Sequence, residues 1–236
     1  MIGTLINAGA VIFGSLLGNL LGARIPERVR TTVVSGFGLF TLGYGIQMFI
    51  KTQNALVVVG AILIGSLLGE WWQIDQHLAN LGVWLEGKFN NGGNNTSSKR
   101  FIKGFLTASL VFCVGPMAIL GSIQDGLTGD SSVLVVKAIL DGFAAMAFAS
   151  TLGLGVIFSA PLLLVYQGSI SLLAVQMQSL VSNAMITEMS AAGGLILVGL
   201  TIGSLLELRP IRSANFLPAL VIAPLLVLLL GAFGLY

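Results

Sequence analysis

The sequence predicts an all-α polytopic membrane protein, a bundle of about eight transmembrane helices. Three observations predict it. Of 236 residues, 56% are hydrophobic and only 8% charged, against roughly 25% charged in an ordinary globular domain. Mean hydropathy is +0.98, and so few polar residues cannot cover the outside of a soluble fold. The apolar residues also come in blocks near the ~20 residues that cross a hydrocarbon core. These blocks do not alternate polar with apolar, which excludes a porin-like barrel.

Eight apolar segments follow in order, at about 2–22, 32–50, 55–72, 101–123, 133–152, 155–180, 189–206 and 215–235. The fifth and sixth form one nearly continuous stretch, about twice the length of a span, and divide near Gly153–Pro161. Seven spans with a re-entrant piece there is the alternative. The first segment lacks a basic stretch before its apolar run, so it reads as a permanent span and not as a cleaved signal.

Loop charge favours eight. Arg24, Arg28 and Arg30 follow the first segment. Lys88, Lys99, Arg100 and Lys103 follow the third, and Arg209 and Arg212 follow the seventh. With eight segments all three loops share one side. The positive-inside rule makes that side cytoplasmic and puts both termini outside. Lys51 and Lys137 lie toward the other side. A net charge of +2 is too small to suggest nucleic acid.

Residues 1–236 read as one transmembrane domain, with 74–100 as a cytoplasmic interfacial helix and linker. Ile74, Leu78, Leu81, Trp84, Leu85 and Phe89 recur at helical spacing opposite Asp75, Gln76, Asn80, Glu86 and Lys88. NNGGNNTSS at 90–98 then reads as a flexible polar linker. A repeat is also present. AVIFGSLLG starts at Ala10, AILIGSLLG at Ala61 and GLTIGSLLE at Gly199. In the first copy Ala10, Gly14, Gly18 and Gly22 stack at every fourth position, a face on which helices approach closely.

The densest polar cluster lies at 113–141. Gly115-Pro116 interrupts the fourth segment, because Pro116 lacks an N–H and clashes with the preceding turn. Ser122, Gln124 and Asp125 follow near its end, and Asp130 with two serines reads as a cap for the fifth segment. Lys137 and Asp141 stand at i and i+4 on one helical face. Asp141 falls about 12 Å below the segment's start at 1.5 Å per residue, a depth where a charge requires a partner. The pair reads either as a structural bridge or as an ion or proton site with Lys137 as counter-charge, and intramembrane ionisable groups favour the second. Asn7 in the first segment and Gln167 in the sixth are further polar candidates. Cys113, in an apolar run, reads as a small packing residue. His77 stands alone, and Glu70 and Glu207 sit at the edge of two repeat copies, where each can pair with a loop cation.

No Walker A sequence, HExxH helix, Gly-x-Gly-Asp aspartyl-protease sequence or Thr-Val-Gly-Tyr-Gly filter is present. The expectation is a protein that is not an enzyme and uses no cofactor and no metal. Its expected partners are the bilayer and a small solute or ion, with self-association left open.

GTLINAGAVIFGSLLG at the start, IPERVR, the block GSIQDGLTGDSSVLVVKAILDGFAAMAFASTLG, and GGLILVGL with FLPAL after it resemble the bacterial DUF554 family over nearly the whole chain. The resemblance implies a multi-pass bacterial inner-membrane protein. It brings no catalytic residue and no substrate, and leaves the number of spans open. The reading that joins these observations is a secondary transporter or channel-like permease. Broken helices and repeats are what such proteins use to build midplane sites. A non-transporting scaffold or partner subunit is the alternative, and an intramembrane enzyme the third.

Overall fold

The structure, a computed structural model, describes residues 1–22, 26–89, 95–176 and 181–233. The helices are α1 (Ile2–Gly22), α2 (Glu27–Ile50), α3 (Ala55–Trp71), α4 (Ile74–Phe89), α5 (Asn95–Cys113), α6 (Pro116–Thr128), α7 (Ser132–Leu152), α8 (Ser159–Leu172), α9 (Asn183–Leu200) and α10 (Ala219–Ala232). A 3-10 segment, Gly153–Phe158, joins α7 to α8. A π turn, Thr201–Leu205, extends α9, and a 3-10 turn, Ser213–Phe216, precedes α10. No strand occurs among the described residues.

Among the described residues, five stretches are long and apolar enough to cross a membrane, or up to seven if each bent pair is one span. The bent pairs are α3 with α4, at 53°, and α5 with α6, at 61°. The second bend falls where Gly115-Pro116 predicts it, and Pro116 becomes the first residue of α6, where its missing N–H costs nothing. The longest stretch, Ser132–Leu172, has 41 residues. It reverses. Asn7 bonds both Asp141 and Gln167, twenty-six residues apart, which a straight helix would hold about 39 Å apart at 1.5 Å per residue. The turn is at Gly153, whose φ of +81° suits glycine, close to the division the sequence predicts.

Residue–residue packing divides the chain into two compact units. The first comprises residues 1–37, 78–113 and 117–178. Its centre is the parallel pair α1 and α7. A Cβ on Gly14 would stand on the carbonyl of Gly142, one on Gly18 on that of Met146, and one on Gly22 on that of Ser150. The predicted small-residue face therefore lies against a helix of the same chain, in one register over three turns. The opposite side of α1 leaves Leu5, Phe13 and Leu20 exposed, as lipid contact requires. α5 and α6 run against α7 in the opposite sense: Gly104 packs on Leu152 and Gly121 on Leu134. Phe105, Phe112 and Phe148 fill the core between them, with the Phe112 and Phe148 rings 6.3 Å apart.

The second unit comprises 38–77, 114–116 and 179–236. Its core is small: Val58, Ala61, Ala191, Ala192, Ala219 and Ala223. Close backbone approach sets the packing again, with Gly65 on Ala219 and Gly69 beneath the carbonyl of Asn215. The three repeat copies thus share small residues but not one role. The first meets a parallel helix. The second meets the turn before α10. The third leaves α-geometry at the π turn and ends at Glu207, whose φ is +53°.

One sequence expectation needs correction. The linker is shorter than 90–98, because Asn95–Ser98 form the first turn of α5; residues 90–94 lie outside the described residues. α4 forms as predicted; Gly82 is its buried residue, and Leu81, Trp84 and Phe89 are exposed. The stripe is partly covered: Ile74, Leu78 and Leu85 are half-buried, and the Phe89 ring lies 5.0 Å from that of Phe158. Lys88 lies 5.2 Å over the Trp84 ring.

Candidate functional site

Four side chains from three helices meet inside the first unit. α7 supplies Lys137 and Asp141, one turn apart, 6% and 8% exposed. The Lys137 ammonium donates to Asp141 Oδ2. α1 supplies Asn7 and α8 supplies Gln167, both wholly buried. Asn7 Nδ2 donates to Asp141 Oδ2 at 3.0 Å and to Gln167 Oε1 at 3.3 Å. The register of the α1–α7 pair sets this meeting, since the glycine face brings the buried stripe of α1 against α7.

The bonding is incomplete. Among the described residues, Asn7 Oδ1 and Gln167 Nε2 have no hydrogen-bond partner, and neither has Thr4 Oγ1, one turn before Asn7. Leaving such an atom buried and unpaired costs about 1–3 kcal/mol. The cluster therefore presents an acceptor and a donor for a partner from outside the chain, beside an ion pair whose charges cancel.

The other predicted residues are placed around this cluster. Asp125, 3% exposed, holds the α-amino group of Met1 at 2.9 Å through Oδ2, while Oδ1 has no hydrogen bond. Gln124 does not join it; its amide donates to Asp130 Oδ2 at 2.6 Å at the α6–α7 turn. Ser122 bonds back to the carbonyl of Ala118 at 2.5 Å. Its own carbonyl accepts from Ser171 at 2.9 Å, tying α6 to α8. Pro116 acts through the bend alone. At the opposite end of the unit, Asn19, Gly22, Ser97, Arg100, Phe101 and residues 149–154 line a cavity of about 280 Å³.

Sequence reasoning missed Glu188. It is wholly buried at the start of α9 in the second unit. Its carboxylate accepts from the Thr52 hydroxyl at 2.5 Å, Gln53 N at 2.7 Å and Asn54 N at 3.1 Å, which binds the turn before α3. A segment starting at 189 leaves this carboxylate in a loop. The helix begins six residues earlier, and a lone ionisable group within an apolar stretch was the available signal. At the other end of α3, Glu70 pairs with Arg212 and accepts from Asn215 Nδ2 at 2.6 Å, as expected for an edge carboxylate facing a basic loop. Among the described residues no cluster of three metal-ligating side chains occurs.

Apolar helices of span length, arranged around a buried ion pair and two buried amides, define a polytopic helical membrane protein with a polar site inside the bundle. The chain belongs to the family described as "Protein of unknown function (DUF554)", whose match covers residues 2–228. It is 36% identical over 226 residues to the uncharacterized protein YqgA of Escherichia coli strain K12, covering 94% of each chain. It is 30% identical over 239 residues to the uncharacterized membrane protein YdfK of Bacillus subtilis strain 168, covering 100% of this chain and 99% of that one. No solved structure matches.

Proposed function

We propose that the protein is a secondary transporter or channel-like permease of the bacterial inner membrane, moving a small solute or ion. One observation carries this reading: Asn7, Lys137, Asp141 and Gln167 form a buried polar cluster on three apolar helices, with an acceptor and a donor left unpaired. A purely structural bridge would not need unpaired amide atoms, and apolar packing would replace it at little loss. The bend at Gly115-Pro116 and the reversal at Gly153 supply the interrupted helices that line such sites. The basic loops are cytoplasmic and both termini outside, on the loop charges.

The test compares purified wild type with Asp141→Asn in a thermal-shift screen across ions and metabolites, followed by flux in proteoliposomes. Wild type responds to a solute, and Asp141→Asn folds but loses the response. Full response in Asp141→Asn overturns the reading. A wild type that moves nothing favours a scaffold held together by its small-residue faces.

A further inference from the structure

Resting on the transport reading, we infer that the first unit conducts an uncharged, hydrogen-bonding solute along the buried face of α1, and not an inorganic cation. Among the described residues, the buried side-chain atoms without a hydrogen-bond partner belong to the first unit, Ser213 Oγ excepted. Two of them, Thr107 Oγ1 and Ser109 Oγ, lie on α5; the others lie on α1 or face it from α6 and α8. Thr4, Asn7 and Ser15 all lie on the buried stripe of α1. Asn19, one turn past Ser15, lines the cavity at the Gly22 end. Asp125, with its unpaired Oδ1, stands at the Met1 end.

The hydroxyls make the point most directly. In a helix, serine and threonine ordinarily satisfy themselves by bonding back to a carbonyl three or four residues earlier. Ser122, Ser150, Ser159 and Thr201 do so here. Ser15, wholly buried, has the carbonyl of Val11 within sequence reach and does not use it, and Thr107 and Ser109 on α5 are likewise unpaired. The Ser15 hydroxyl, like those atoms of Thr4, Asn7 and Gln167, is left for a partner outside the chain. Val11, also wholly buried, separates the Asn7 level from the Ser15 level.

Charge sets the class of solute. The charged side chains at the Asn7 level are Lys137 and Asp141, bound to each other. A cation approaching Asp141 meets the lysine, and an anion approaching Lys137 meets the aspartate. The open positions are one acceptor, Asn7 Oδ1, and one donor, Gln167 Nε2. A hydroxyl or carboxamide group satisfies both at once, and a metal cation satisfies neither the donor nor the charge balance.

The test is reagent access. Thr4→Cys and Ser15→Cys, both near-isosteric, are made with Cys113→Ser in the full chain and kept in membrane vesicles. Three methanethiosulfonates of similar length are applied: hydroxyethyl, trimethylammonioethyl and sulfonatoethyl. The neutral reagent labels both positions, and the charged ones react on the order of a hundredfold more slowly, as expected for a charge at membrane depth. Equal labelling by the cationic reagent overturns the choice of solute and leaves the transport reading standing. No labelling at either position by any reagent, while Ser97→Cys in the cavity wall reacts, overturns both.

Discussion

Asn7 and Gln167 stand 160 residues apart in the chain and meet side chain to side chain, the Asn7 amide donating to the Gln167 carbonyl oxygen at 3.3 Å. The same Asn7 nitrogen reaches Asp141 at 3.0 Å. One short side chain therefore joins the first, seventh and eighth helices at a single level. The Lys137–Asp141 ion pair is the charged half of that junction.

The energetic consequence of the pair is asymmetric. Lys137→Met leaves a buried carboxylate with amide support alone, and should destabilise the protein by about 3–5 kcal/mol. Lys137→Met/Asp141→Leu removes both charges and should recover most of that loss. Unfolding of the three proteins in mixed detergent measures it. Equal destabilisation of the single and double mutants would show that the two charges are not coupled.

Glycines on α1 should separate into two kinds. A Cβ at Gly18 falls on the carbonyl of Met146, whereas one at Gly9 meets nothing within 4 Å. Gly18→Leu must push α1 away from α7 and should lower the melting temperature or abolish folding. Gly9→Ala should be neutral or stabilising by up to about 1 kcal/mol, because alanine is the better helix former. Melting curves in one detergent decide it, and a Gly18→Leu protein that melts like wild type would place that face against lipid.

Much of this was legible in the sequence because membrane helices declare themselves by length and apolar content. The break at Pro116, the glycine face of α1, the burial of Asp141 and the pairing of Glu70 with a loop cation all follow from local rules. Others depend on register, which no local pattern encodes. Asn7 and Gln167 were visible as polar residues, but only the α1–α7 alignment shows that they share one level with Asp141. Ser122 belongs to the same polar cluster in the sequence as Asp141 but bonds its own helix. Glu188 was missed because the helix starts at Asn183, six residues before the predicted segment, and that shift moves the carboxylate from loop to core.

Glu188 makes a local prediction. Its carboxylate holds the amides of Gln53 and Asn54 at 2.7 and 3.1 Å, so those amides should exchange slowly with deuterium. Glu188→Ala should free them and speed their exchange well above the rest of α3, and Glu188→Gln, which keeps one acceptor, should fall between. Unchanged protection at residues 53 and 54 in Glu188→Ala would mean that the turn holds without the carboxylate.

A pH effect is expected at the α6–α7 turn. The backbone N–H of Ser132, then its hydroxyl, and the Gln124 amide hold the Asp130 carboxyl below the usual carboxylate range. A carboxyl with a lower pKa folded than unfolded stabilises the fold above its unfolded value, near 3.9, and loses that contribution as pH falls through the folded value. Ser132, whose N–H bonds Asp130 at 2.9 Å, should therefore exchange faster in strong acid than at neutral pH after correction for intrinsic rates. Asp130→Asn should flatten that difference, and a difference that survives the substitution would assign it to another group.

Sidedness gives the last prediction, and α3 supplies the ruler. Its first turn is bound to Glu188 through residues 52–54, and its last turn is bound to Arg212 and Asn215 through Glu70. Seventeen residues separate the two ends, about 26 Å at 1.5 Å per residue, close to the thickness of a hydrocarbon core. Lys51 and the 208–212 loop should therefore face opposite sides. In the first unit Ser97 and Arg100 share the cavity with Gly22, which precedes the first basic loop. If loop charge sets orientation, Ser97 and Leu208, the latter 74% exposed, belong to the cytoplasmic side. Ser97→Cys, Leu208→Cys and Lys51→Cys, each with Cys113→Ser, are treated with an impermeant thiol reagent in right-side-out and inverted vesicles. The first two should react only in inverted vesicles and the third only in right-side-out ones. Reaction of Ser97→Cys and Leu208→Cys from opposite sides would overturn the eight-helix topology, and reaction of both only in right-side-out vesicles would reverse the orientation while keeping the count.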